Sequence, residues 1–107
     1  MTNAEHVSVA DLVAARAAGA LVVDVREPAE FAAGRVPGAV NVPLAMVPFS
    51  LGRLAELAGD GPLFLICHVG ARSAWAADYL TQYGIDSCTV DGGTQEWAAG
   101  GQPLDRG

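Results

Sequence analysis

The stretch Cys67-His68-Val69-Gly70-Ala71-Arg72-Ser73 concentrates side chains that can do chemistry. It follows the most hydrophobic run, Leu63-Phe64-Leu65-Ile66, and precedes a segment of helical spacing. Physically this is a good place for a nucleophile. Consecutive backbone N–H groups can curl into an anion-binding nest. The next helix adds the positive end of its dipole. Both favour a cysteine thiolate over the thiol. Gly70 permits a backbone conformation that a side chain would forbid. Arg72 can pair with an anionic substrate or steady charge at the rim. Ser73 can cap the helix or donate a hydrogen bond to the sulfur. The alternative for Cys67, an inert thiol at a strand end, fits this context less well. Cys88 has no adjacent Gly or Arg and reads as core, with a redox partner of Cys67 as the alternative.

These residues need a scaffold, and the rest of the sequence supplies one. Ser8 reads as a helix N-cap with Asp11 at N3, a capping box, and Val7 and Leu12 can form its hydrophobic staple. Gly19 ends that helix at about Ala18. Ala20-Leu21-Val22-Val23-Asp24-Val25 reads as a strand covered on both faces. Pro28 can start a short helix and Gly34 can stop it. Val36-Pro37-Gly38-Ala39 is a turn, followed by a short strand at Val40 to Val42. Leu51, Leu54, Leu57 and Ala58 repeat at helical spacing. Gly59-Asp60-Gly61-Pro62 breaks that helix, and Leu63 to Ile66 reads as the central strand. Arg72 to Tyr83 is helical in pattern, with Trp75, Tyr79, Leu80 and Tyr83 on one face and Gly84 at C′. Cys88-Thr89-Val90 reads as a strand. Thr94 can cap a final helix carrying Trp97, which Gly100-Gly101 terminates. Trp75 and Trp97 are expected to anchor helices against the sheet. The alternation predicts an α/β sandwich with a mostly parallel sheet and a crevice at the carboxyl ends of its strands.

Length and charge narrow the function classes. The 107 residues suit one domain, 1–107. A composition of 51 % hydrophobic and 17 % charged residues argues against disorder. The net charge is -6, and the six basic residues are scattered arginines with no lysine. Such a surface repels nucleic acid and anionic membranes. No run approaches the roughly 18 apolar residues that span a bilayer. Met1 to His6 has neither a basic n-region nor a signal-type apolar core. Cys67 and Cys88 make no disulfide framework. The expected compartment is the cytoplasm.

Four segments, in order, resemble the rhodanese-like sulfurtransferases. They are Asp24-Val25-Arg26-Glu27 with Glu30-Phe31, Gly34-Arg35-Val36-Pro37-Gly38-Ala39 with Asn41-Val42-Pro43, Cys67-x-x-Gly70-x-Arg72-Ser73, and Gly92-Gly93 with Trp97. The resemblance covers almost the whole chain. It implies a three-layer α/β/α fold with a five-stranded parallel sheet in the order 1-5-4-2-3. A short first strand would lie near His6 and Val7. It also implies ping-pong covalent catalysis. Cys67 would take the sulfane sulfur of thiosulfate or a persulfide donor. It would pass that sulfur to a thiol, a protein thiol or cyanide. On this mapping Cys67 and Arg72 are catalytic. The amides of His68, Val69, Gly70, Ala71 and Arg72 would cradle the persulfide, with Ser73 beside them. The strand order brings Asp24 and Arg26 near the loop mouth, where Asp24 would hold the loop or Arg26 by charged hydrogen bonds. Arg35 stands where the family often has His, at a position that reads as structural. Thiosulfate specialists tend to carry extra basic residues at the positions of His68, Val69 and Ala71. Thiosulfate is therefore expected to be an assay donor, bound with a high KM. His68 reads as an acid/base group, an acceptor contact or a solvent-facing filler.

Other classes fit less well. The related dual-specificity phosphatases place five residues between Cys and Arg, whereas four lie between Cys67 and Arg72. The shorter loop suits one sulfur and crowds a phosphoryl group, so a phosphatase or arsenate reductase is the lesser alternative. Non-catalytic binding or regulatory relatives usually lose the cysteine. His6, His68 and the two cysteines form no spaced metal set. No dinucleotide fingerprint or Walker loop is present, so no cofactor is expected.

Overall fold

The computed structural model describes residues 3–107, so Met1 and Thr2 of the N-terminal stretch fall outside it. Among the described residues, five strands and five helices alternate. In chain order they are β1 (Glu5–Val7), α1 (Val9–Ala17), β2 (Val22–Asp24), α2 (Pro28–Ala33), β3 (Val40–Asn41), α3 (Leu51–Ala58), β4 (Leu63–Ile66), α4 (Ala71–Gln82), β5 (Ser87–Val90) and α5 (Gly93–Ala99). A 3₁₀ segment, Leu44–Phe49, joins β3 to α3. All strand pairs are parallel, in the order β1-β5-β4-β2-β3. The expected three-layer α/β/α architecture is therefore present, with β4 central.

Sheet pleating divides the core in two. Val23, Leu63, Leu65 and Cys67 face α3 and α4, packing on Leu54, Ala76, Ala77 and Leu80. Val22, Phe64, Ile66, Cys88 and Val90 face α1 and α5, packing on Leu12 and Trp97. Successive strand residues point to opposite faces, so burying both requires the near-continuous apolar runs seen in β2 and β4. Each fully buried Leu, Ile or Val side chain contributes about 1.5–3 kcal/mol.

Helix boundaries follow local chemistry. Ser8 and Asp11 close the expected capping box at 3.0 and 2.9 Å. Pro28 opens α2 and Gly34 caps its end. Strand β2 is shorter than the Ala20–Val25 run, because β3 and β4 pair with it only over Val22–Asp24.

Two expectations are corrected. Thr94 does not cap the last helix. Gly92 does, and Thr94 lies inside α5 with its hydroxyl on the Cys67 carbonyl. Trp75 is no core anchor, being 53 % exposed, and Tyr83 is 59 % exposed. The buried face of α4 is Ser73, Ala76, Ala77 and Leu80. Small residues let the helix lie close to the sheet and leave Trp75 and Tyr83 outside, with Tyr79 half-buried against the core. Trp97 is fully buried, as expected, and its indole N–H donates to Pro103 O at 2.7 Å.

Candidate active site

Cys67 is the first residue after β4, and its side chain is only 1 % exposed. The chain then turns back over the sulfur. The Gly70 amide donates to Cys67 Sγ at 3.1 Å. Gly70 is the N-cap of α4 with φ +117°, a left-handed conformation suited to glycine. Backbone atoms of Val90, Asp91 and Gly92 lie 3.7–3.8 Å from where its Cβ would stand.

Burial by itself pushes the Cys67 thiol up. Hydrogen bonds from the Ser73 hydroxyl and from the Ser73, Gly70 and Arg72 amides outweigh that burial, and its pKa falls below the ordinary value. These donors line the first turn of α4, so the helix dipole acts in the same direction. Ser73 Oγ also lies 2.8 Å from Thr89 Oγ1 and 3.2 Å from Gly70 O. A serine hydroxyl has one proton. When Thr89 donates to Ser73, that proton is shared between Gly70 O and the sulfur.

The back of the loop is gripped by α5. The Thr94 amide and hydroxyl both donate to Cys67 O, at 2.9 and 3.1 Å. The Gln95 amide donates to His68 O at 3.0 Å. These bonds turn the loop carbonyls away from the sulfur and leave amides facing it. Gly93 makes the approach possible. A Cβ there would stand 2.5 Å from both Cys67 O and His68 O. The Gly92-Gly93 pair is thus part of the loop's foundation as well as a turn at its rim.

Arg72 is placed differently from a free anion clamp. Its guanidinium makes a two-bonded ion pair with Glu30 of α2, Nη1 to Oε1 at 2.8 Å and Nη2 to Oε2 at 3.0 Å. The Arg72 hydrogen bonds hold the Glu30 carboxyl down at about 2, against some opposition from burial. The Arg72 contribution to the sulfur comes from its backbone amide. Glu30 was legible only as part of the first resembling segment, not as the partner of Arg72.

Asp24 ends β2 beside Ile66, one residue short of Cys67. It is fully buried and holds Arg26, not the loop. Arg26 Nη2 and Nε reach its carboxylate at 2.7–3.1 Å, and the Arg26 amide reaches Oδ1 at 3.0 Å. Arg26 Nη2 also donates to Gly34 O at 2.8 Å. Arg26 is therefore a buried staple between β2 and the end of α2, and not a rim cation. The remaining loop residues, His68, Val69 and Ala71, are exposed.

Cys88 does not partner Cys67. Its side chain lies on the α1/α5 face of the sheet, whereas Cys67 lies on the α3/α4 face. The β4–β5 register puts it three residues back along the strands, a run of about 10 Å. Burial, with Glu5, Asp86 and Asp11 nearby, pushes its thiol up to about 12. Among the described residues, no cluster of three or more His, Cys, Asp or Glu could hold a metal ion. No helix among them is long and apolar enough to cross a membrane.

Other proteins share this chain's sequence and architecture. The family model for the Rhodanese-like domain matches residues 8–100. A protein of Allochromatium vinosum named sulfurtransferase is 38 % identical over 85 residues, covering 78 % of this chain and 77 % of its own. Thiosulfate sulfurtransferase GlpE of Pseudomonas entomophila is 36 % identical over 98 residues, covering 91 % and 87 %. A rhodanese-related protein of Thermoplasma volcanium superposes with a TM-score of 0.84 at 32 % identity, over 94 % of this chain and 97 % of its own. The chain belongs to the rhodanese-like domain family.

Proposed function

We propose that this chain is a sulfurtransferase in which Cys67 carries the sulfur as a persulfide. The observation that carries the reading is the Cys67 thiol itself. It is buried, yet amides and the Ser73 hydroxyl favour its thiolate. Likeness to thiosulfate sulfurtransferases over most of both chains supports enzymatic sulfur transfer.

In the first half-reaction the Cys67 thiolate attacks the outer sulfur of thiosulfate. The new S–S bond forms as the sulfur–sulfur bond of the donor breaks, and sulfite leaves with that electron pair. A persulfide donor reacts the same way and releases a thiolate. The charge left on the outer sulfur then faces the loop amides, which are already oriented and need no reorganisation. In the second half-reaction a nucleophile attacks that outer sulfur, and Cys67 leaves as thiolate. Cyanide departs as thiocyanate, and a thiol departs as a persulfide. The depressed Cys67 pKa serves both steps, making it a ready nucleophile and a good leaving group.

Arg72 acts here through its amide and through its clasp on Glu30, which holds the first turn of α4. Asp24 and Arg26 are positioning residues for the β2–α2 connection. His68, Val69 and Ala71 form the outer surface that a donor or acceptor meets. A working thiol with no disulfide partner suits a reducing compartment, and the cytoplasm is the proposed one.

Intact mass spectrometry after exposure to thiosulfate tests the reading. One added sulfur atom is expected on wild type and on Cys88→Ala, and none on Cys67→Ala. Stable added sulfur mapped only to Cys88 would reject it.

A further inference from the structure

Resting on the sulfur-transfer reading, we propose that α4 and the 3₁₀ segment Leu44–Phe49 form the docking surface for a protein acceptor. That acceptor is a basic segment presenting a cysteine next to an apolar side chain.

The outer face of α4 carries an aromatic ladder in which Trp75 and Tyr83 are exposed and Tyr79 is half-buried between them. The Trp75 and Tyr79 rings stack at 5.3 Å, and Tyr79 meets Tyr83 at 4.9 Å. The neighbouring 3₁₀ segment ends in Phe49, which is 82 % exposed. Exposed contiguous aromatics mark binding surfaces more often than chance, and Trp and Tyr are preferred interface anchors. Between the two elements lies a recess of about 440 Å³, walled by Leu44, Ala45, Pro48 and Trp75, with Glu27 and Arg72 at its edge. That volume accepts side chains of a bound segment.

The position of the recess ties it to the reaction. Trp75 follows Arg72 of the recess edge by one helical turn, and Gly70, whose amide donates to the Cys67 sulfur at 3.1 Å, caps the same helix. A segment anchored on Trp75 therefore holds its adjacent residues at the mouth of the loop. Cys67 is almost wholly enclosed, so an acceptor atom must be delivered on something narrow and held in place. A cysteine in an extended segment meets both needs.

Charge selects the partner. The Arg72 charge is taken up by Glu30, whereas Glu27 on the recess edge makes no ion pair among the described residues. The whole chain carries -6 and has no lysine. A basic segment is attracted, whereas a second copy of this chain would bring the same acidic surface. In the transfer step the acceptor thiolate attacks the outer sulfur of the Cys67 persulfide. A new S–S bond forms on the acceptor and the bond to Cys67 Sγ breaks. Cys67 leaves as thiolate, and any proton on the outer sulfur travels with it.

The test uses the full chain, charged with sulfur from thiosulfate and offered four acceptors. These are cyanide and three synthetic peptides with one cysteine each. One peptide flanks the cysteine with Phe and Lys, one with Phe and Glu, and one with Gly and Ser. The Phe/Lys peptide is expected to exceed the Gly/Ser peptide in kcat/KM by about tenfold, the scale of one aromatic anchor. In Trp75→Ala the ratio of Phe/Lys-peptide rate to cyanide rate should fall about fivefold or more. Glu27→Lys should reverse the preference between the Lys and Glu peptides. Equal kcat/KM for the three peptides overturns the docking surface, as does a ratio unchanged in Trp75→Ala. Absence of both persulfide and thiocyanate overturns the sulfur-transfer reading and this proposal with it.

Discussion

The hydroxyl of Thr94 lies 3.1 Å from the carbonyl oxygen of Cys67, and the Thr94 amide donates to the same oxygen at 2.9 Å. The orientation of the peptide after the nucleophile is thus set from another helix. The geometry of the Cys67 loop depends on how closely α5 approaches.

That approach predicts a strong effect at Gly93. Its φ is +56°, and an added Cβ would meet two carbonyl oxygens at 2.5 Å. Gly93→Ala should destabilise the fold by about 1–3 kcal/mol, the usual cost of overpacking. Cys67 alkylation by iodoacetamide should lose its low-pH reactivity as the loop shifts. Thermal melts and alkylation rates on the same preparation check both. A fully stable, fully reactive Gly93→Ala would contradict the buttress.

Ser73 supplies a hydroxyl hydrogen bond and a backbone one to the Cys67 sulfur. Removing the hydroxyl removes a donor that favours the thiolate. Ser73→Ala should therefore raise the Cys67 pKa. At pH values below the new midpoint, alkylation should slow, and at high pH the two proteins should converge. A pH–rate profile for alkylation in wild type and Ser73→Ala reads the direction. An unchanged profile would show that the hydroxyl serves Gly70 O and not the sulfur.

Glu30 links stability to pH. Its carboxyl is ordinarily near 4.5 and is held at about 2 in the folded chain, first by Arg72. The folded value is the lower one. The ion pair therefore stabilises fully above about 4.5, and that contribution is lost as pH falls toward 2. Both side chains keep more than a third of their surface in water, so screening limits the effect to about 1 kcal/mol or less. Wild type should exceed Glu30→Gln in stability at pH 7, with the gap closing between pH 4.5 and 2. Denaturant titrations across that range test it. A gap that widens on acidification would be the wrong sign.

Thiosulfate affinity should respond to loop charge. Arg72 is engaged by Glu30, and the exposed Ala71 is the first residue of α4. Ala71→Lys should lower the KM for thiosulfate about fivefold at low salt, a gain of ~1 kcal/mol after screening. A neutral persulfide donor should respond less, and added salt should shrink the difference. Steady-state kinetics across donors and salt concentrations decide it. An unchanged thiosulfate KM with the fold intact would show that charge does not limit donor binding.

Local chemistry made much of this legible. Ser8 with Asp11, Pro28 with Gly34, and the apolar Leu63–Ile66 run carry their boundaries in their side chains. The position of Gly70 before Arg72 in the Cys67 loop signals the turn over the sulfur. What stayed hidden was direction and distance. Periodicity groups Trp75 with Tyr79 and Tyr83, but Ala76 and Ala77 form a second stripe, and only packing decides which one meets the sheet. The Arg72–Glu30 pair spans 42 residues and depends on how α2 and α4 converge. The Gly93 contact requires knowing that α5 ends up behind the Cys67 loop.

The placement of Cys88 on the opposite face of the sheet, and back along the strands, has a bearing on how long sulfur stays bound. In many thiol systems a neighbouring cysteine discharges the activated one by forming an internal disulfide. Here the sheet itself separates the two thiols. On the proposed mechanism a sulfur loaded on Cys67 would have no second thiol to leave through among the described residues, and each chain would hold one atom until an outside nucleophile arrives. The loaded state is then a reservoir whose lifetime is set by acceptor supply, so the protein would deliver sulfur on demand.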